Sequence, residues 1–457
     1  MWRNNPISLI LFAGLNSCPG MINAQDGLLT IDQNALVAGQ ATTIVSGYSL
    51  TNNGPVSKRQ VTIMGKQDPT ETASGSSIPI GNFTAALLHG TIWEPPVTLI
   101  NNTPQTISSG GSFTSGPFSM RYTAPNLASY AWLAAYYSTT LIFGVLYNSK
   151  AQVLPGEVSF SINVPAFIAE KMDPGSITLD VNSLSFFRNQ TISTTQSLPL
   201  WHTVPIKLAL SSTSSLLDFS GGYAGVHDPH TNANKILVQR ILPSEGSLSL
   251  STTPQVCVTN AAVGIGNSTD VSLQFSISSA GLKTGFANMG NYATTLTLGG
   301  SNADISGPAA TYTKSVNLKV TVSDLAELNV TSNQIDMTLQ SAADYKNGVV
   351  VDKPNHLQVS KTTPFDISVK AGNQNFISPS GDLLPVSIMS VGPTTPQTNV
   401  NTVPLSATNQ LLINGWSATI DQFFDIRYQI PPSQTHNLLN KKADVYSGTV
   451  IYTLTAH

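Results

Sequence analysis

From Phe424 to Ile430 apolar and polar side chains alternate without a break. Phe424, Ile426, Tyr428 and Ile430 fall on one side, and Asp425, Arg427 and Gln429 on the other. Successive side chains of a strand point to opposite faces, so this stretch predicts a strand with one buried face. Shorter versions stand at Phe118-Ser119-Met120-Arg121-Tyr122 and Phe275-Ser276-Ile277-Ser278. Downstream of each comes a second pattern, Tyr-small-x-Thr-aliphatic-x-apolar. It begins at Tyr137, Tyr292 and Tyr446 and ends at Phe143, Leu298 and Tyr452. The tyrosines are 155 and 154 residues apart. That interval is the size of a domain, whereas solenoid units run to roughly 20–50 residues. Tyr, aliphatic and apolar positions share one face, which predicts a core strand closing a sandwich in each copy.

Other matches keep the same order. Thr103-Pro104-Gln105 recurs as Thr253-Pro254-Gln255 and, loosely, as Thr408-Asn409-Gln410. Ser161-Ile162-Asn163-Val164 parallels Asn317-Leu318-Lys319-Val320, and Ile177-Thr178-Leu179 parallels Ile335-Asp336-Met337. Phe187-Arg188-Asn189 parallels Tyr345-Lys346-Asn347. Thr203-Val204-Pro205 parallels Thr362-Thr363-Pro364, each leading into an alternating run. No amphipathic helix longer than about 12 residues is visible, and Pro and Gly are scattered as turns between short strands require. The expected architecture is all-β: three tandem antiparallel β-sandwich domains, Ig-like or Greek-key-like, at 26–157, 158–312 and 313–457.

Composition changes the setting. Charged residues are 10% of the chain, against roughly 25% in an average soluble protein. Ser, Thr, Asn and Gln make up about a third, a polar, uncharged surface typical of extracellular β proteins. A net charge of -3 leaves no footprint for nucleic acid. Arg3, the apolar run Ile7 to Leu15 and Ile22-Asn23-Ala24 read as a signal peptide over 1–25, too short to span a membrane. Leu15-Asn16-Ser17-Cys18 offers a second reading, a lipid anchor at Cys18. With the signal removed only Cys257 remains, in an apolar strand pattern, so no intrachain disulfide is expected.

No nucleophile elbow, phosphate loop, His-Glu-x-x-His or EF-hand pattern appears. No catalytic residue and no cofactor is therefore assigned, and the protein is read as not an enzyme. Two features have the chemistry of a ligand site. His227-Asp228-Pro229-His230 puts two imidazoles and a carboxylate in one loop, Gly221 to Asn234; spacing identifies no third or fourth metal ligand. Trp93, beside Glu94-Pro95-Pro96, is the tryptophan least embedded in an apolar run and suits a sugar platform.

The second half of a repeat resembles the β-sandwich domains of secreted bacterial cell-surface proteins, the WxL type and pilus-like subunits. Phe365-Asp366-Ile367, the turn Ser380-Gly381-Asp382 and the closing Tyr-x-x-Thr strand carry the resemblance. Phe365-x-Ile367 and Ile206-x-Leu208 stand where the WxL type has its Trp-x-Leu pair. The expected function is that of a secreted or cell-surface structural or adhesive protein. Its partners would be surface or matrix proteins, its own subunits, or glycans. Sheet edges are templates for strand addition and offer one route to them. The alternatives are a carbohydrate-binding protein using Trp93 or the 221–234 loop, and a metal-assisted hydrolase resting on His227 and His230 alone.

Overall fold

Strands dominate the computed structural model, which describes residues 26–51, 60–108, 115–147, 151–223 and 228–457. The chain is all-β, and no described α-helix exceeds the seven residues of Ser279–Gly285. The signal peptide, Cys18 and His227 lie outside the described residues.

Buried apolar side chains gather in three clusters, each enclosed by its own pair of sheets. The first uses β1 (Gly27–Thr30), α1 (Gln33–Ala38), β2 (Ala41–Leu50), β3 (Gln60–Gly65), β4 (Gly116–Ala124), β5 (Ala135–Leu146) and β6 (Glu157–Val164). One sheet runs β1, β6, β5, β3; β2 pairs with β4 in the other. The second cluster repeats this plan with β7 (Ile177–Val181), α2 (Leu184–Arg188), β8 (Ile192–His202), β9 (Ile206–Ser212), β10 (Ser268–Ile277), α3 (Ser279–Gly285), β11 (Gly290–Asn302) and β12 (Thr311–Val322). Its sheets run β7, β12, β11, β9, and β8 with β10. The third has β13 (Ala326–Val330), α4 (Ala342–Asn347), β14 (Val349–Lys361), β15 (Phe365–Ala371), β16 (Thr419–Ile430) and β17 (Val450–Ala456). Here β13, β14 and β16 form one sheet, and β17 pairs with β15 in the other.

The period-two runs behave as their pattern requires. On β16, Phe424, Ile426, Tyr428 and Ile430 are buried, and the residues between them are not. The repeated tyrosine does more than pack. Tyr137 Oη donates to Leu133 O at 3.1 Å, Tyr292 Oη to Asn288 O at 2.9 Å, and Tyr446 Oη to Lys442 O at 3.2 Å. Each hydroxyl reaches back four residues and ties the corner where the chain changes sheet, a tyrosine corner.

Strands β6 and β12 run past the divisions expected after 157 and 312. Both lie antiparallel on the tyrosine strand, and Val158, Phe160, Ile162 and Val164 bury in the first cluster as Val316, Leu318, Val320 and Val322 do in the second. Ile162 stands opposite Tyr137 and Val320 opposite Tyr292. Ile162 therefore corresponds to Val320 and not to Leu318, its match in sequence. A slip of two keeps every side chain on its face, so alternation alone cannot detect it.

The sheet pairs are tied together. Thr203 Oγ1 accepts the Phe167 N–H (3.1 Å) and donates to Pro165 O (2.7 Å); Thr362 Oγ1 accepts the Leu325 N–H (2.8 Å) and donates to Ser323 O (2.9 Å). The matched Thr203 and Thr362 thus pin the two connecting segments. Cys257 is buried with its thiol 3.6 Å from Leu208 O, and burial pushes its pKa up to about 11, so it packs as a small apolar group.

Candidate functional site

The face built by the tyrosine motif is closed twice and open once. Tyr137, Leu141 and Phe143 are buried, as are Tyr292, Leu296 and Leu298. Tyr446, Val450, Tyr452 and Leu454 are only half-buried against the third cluster. The third copy therefore departs from the buried core strand expected of it, and its strand begins at Val450, after the tyrosine. The reason lies at the strand edges. β5 has β3 on one edge and β6 on the other, and β11 has β9 and β12. β17 has β15 on one edge, and no described residue pairs with its other edge.

A second half-buried row belongs to the same place. In the second sheet pair, β7 lies parallel to β12. The segment matched to β7 in sequence, around Ile335-Asp336-Met337, forms no strand. It keeps the alternation: Ile335, Met337 and Leu339 are half-buried against the third cluster, and Gln334, Asp336, Thr338 and Gln340 are exposed. The counterparts of β7 and β11 thus both present apolar faces at the position that β12 fills between them. A sheet edge of this kind offers unpaired N–H and C=O groups to an incoming strand.

Two details shape this groove. Thr139 and Thr294 of the first two motifs are replaced by Gly448. The Phe376 ring sits where a Cβ on residue 448 would be 2.7 Å from its Cδ1, so only glycine fits. Behind the face, His356 Nε2 is 2.8 Å from Tyr428 Oη, which is 2.5 Å from Tyr452 Oη. Burial pushes Tyr428 up to about 12, and burial, then the Lys353 charge, holds His356 below the usual imidazole range. Protonation of His356 is therefore easier in the unfolded chain. Its contribution to stability is complete above about pH 6.5 and is lost as pH falls toward the folded value. Denaturation at pH 7.5 and pH 5.5 is expected to show a loss on acidification that the His356→Phe variant reduces. An unchanged loss would remove His356 from the account.

The residues singled out in sequence do not assemble. Asp228 and His230 form a local turn: the carboxylate accepts the His230 N–H at 2.8 Å and lies 3.6 Å from Nδ1, with residue 230 at φ 49°. Among the described residues no three His, Cys, Asp or Glu side chains gather as metal ligands. Trp93 belongs to the first sheet pair, in a two-residue strand, and the Arg121 guanidinium lies 4.6 Å over its ring. One ring face is therefore already covered. In sequence, the alternating runs Val158-x-Phe160-x-Ile162-x-Val164 and Val316-x-Leu318-x-Val320-x-Val322 follow the first two motifs and mark their closing strands.

No known protein family matches this sequence, and no curated protein does either. Among solved structures the chain is similar to the adhesin CfaE of CFA/I from enterotoxigenic E. coli, in a mutant form. Identity is 10%, covering 65% of this chain and 97% of that one, with a TM-score of 0.26. It is similar to the CupB6 tip adhesin from Pseudomonas aeruginosa, with 12% identity, 62% and 91% coverage and a TM-score of 0.26. It is also similar to the chaperone–tip adhesion subunit complex CsuC–CsuE of the archaic Csu pili of Acinetobacter baumannii. There identity is 12%, coverage 63% and 99%, and the TM-score 0.30. Among the described residues no helix is long and apolar enough to cross a membrane.

Proposed function

We propose that this is a non-enzymatic, exported structural or adhesive protein of three β-sandwich domains, and that the third recruits a partner by strand addition. We set the divisions near residues 165 and 323, a reading supported by the burial of β6 and β12 with the sheets before them. One observation carries the reading: the tyrosine-motif face is half-exposed in the third copy alone, beside an alternating segment with the same exposure. The occupant is an extended segment with apolar residues at every second position, running antiparallel to β17 as β6 and β12 run on β5 and β11. Main-chain hydrogen bonds supply affinity and the alternate side chains supply register. A glycan-binding role finds less support, since Arg121 already lies over Trp93.

A synthetic peptide with the sequence Glu157–Val164 tests this on the full chain. At about a hundred times its Kd it is expected to stabilise the protein by about 2.7 kcal/mol and to slow amide exchange on β17. A peptide of the same composition with its apolar residues made contiguous is expected to do neither. If the alternating peptide at millimolar concentration leaves both the denaturation midpoint and β17 exchange unchanged, the reading fails.

A further inference from the structure

The second sheet pair grips the third with two cations. Arg188, at the end of α2, donates to both Glu327 oxygens (2.6 and 3.1 Å) and to Asp421 Oδ1 (3.0 Å). Lys283, in α3, pairs with Asp421 Oδ2 at 3.0 Å. Burial works to raise the Asp421 carboxyl, but the bonds from Lys283 and Arg188 outweigh it and hold it below the usual carboxylate range. Each cation stands five residues beyond the N-cap of its helix, Ser183 for Arg188 and Ser278 for Lys283.

The same count gives two basic side chains at the matching end of the third sheet pair. Five residues beyond Ser341, the N-cap of α4, is Lys346. Five beyond Pro431, which precedes the 3-10 turn Pro432–Leu438, is His436. α4 packs against that turn as α2 packs against α3. Lys346 and His436 are exposed, and neither makes an ion pair with a described residue.

We propose that this end of the third sheet pair is a docking face for the end of a further β-sandwich, one carrying carboxylates in the positions of Glu327 and Asp421. The proposal rests on the strand-addition reading. β12 ends at Val322 and β13 begins at Ala326, so a closing strand delivers the next sandwich to this end within a few residues. A strand added to β17 in the same direction places its own following sandwich against Lys346 and His436. The partner is another protein with an acidic sandwich end.

The test extends the full chain with a flexible linker after His457 and a copy of residues 311–457, which supplies the β12 sequence and a second Glu327 and Asp421. Amide exchange on the original β17 reads the groove. The acylation rate of Lys346 reads the docking face, with Lys283, already paired, as the internal reference. The expected result is slowed exchange on β17 and a Lys346 rate about three- to fivefold below that of the unextended chain. Glu327→Gln in the added copy alone should restore the rate. Slowed β17 exchange with an unchanged Lys346 rate overturns the docking face and leaves strand addition standing. Unchanged β17 exchange overturns both.

Discussion

Replacing Asn267 with alanine is expected to destabilise the protein by about 4 kcal/mol. Asn267 is fully buried where the first two sheet pairs meet. Its Oδ1 accepts the Trp132 N–H at 2.9 Å, and its Nδ2 donates to Trp132 O (2.7 Å) and His202 O (2.8 Å). One amide therefore satisfies three backbone groups from both sides of the junction. Alanine leaves one N–H and two carbonyls without partners, each costing about 1–3 kcal/mol when buried. The backbone adds to this, because residue 267 has φ 56°, a conformation that asparagine tolerates and alanine does not. Asn267→Asp is no rescue: it keeps an acceptor for the Trp132 N–H but turns a carboxylate toward two carbonyls. Guanidinium unfolding followed by the fluorescence of Trp132, itself fully buried, measures the loss. A change below about 1 kcal/mol would mean that water or a shift of the junction replaces all three bonds.

Asn267 also shows where sequence reasoning stops. Strands were legible because alternation is a local property, and residues 424–430 declare their buried face without help. The repeat was legible because the tyrosine corner needs a tyrosine at one point of each sandwich. Register was not, since Ile162 and Val164 are interchangeable under a slip of two. Nor were the junctions. Asn267 lies in a Gly-Asn-Ser stretch that reads as an ordinary turn, and its partners stand 65 and 135 residues away. Arg188 was matched to Lys346 in sequence, but its carboxylates at 327 and 421 are a domain further on. The features that stand out in sequence, Trp93 and the pair Asp228 and His230, meet a cation over a ring and form a turn. The groove was hidden for a different reason. Its residues fit the repeat so well that they were expected to be buried, and only their half-exposure in the fold distinguishes them.

That difference sets the second large effect. Tyr292→Ala is expected to cost about 3–5 kcal/mol. The ring is fully buried, 4.7 Å from Phe219 and 4.9 Å from Phe286 by centroids, and its hydroxyl holds the Asn288 carbonyl. Tyr446→Ala removes the same residue from the same point of the repeat and the same kind of corner bond, to Lys442 O. Its ring is half-exposed, so truncation returns little apolar surface to water and leaves no closed cavity. In the free protein this variant is expected to cost far less than Tyr292→Ala. The order changes once the alternating peptide is bound. On β5 and β11 the residue opposite the tyrosine is Ile162 or Val320, so the bound strand should pack an aliphatic side chain against Tyr446. Tyr446→Ala should then weaken peptide binding, while a variant far from the groove, Trp93→Ala, leaves it unchanged. Paired unfolding curves with and without peptide separate the two contributions. Equal costs for Tyr292→Ala and Tyr446→Ala without peptide would show that the third face is already covered. A Tyr446 cost that stays small in the presence of bound peptide would show that the strand lies elsewhere.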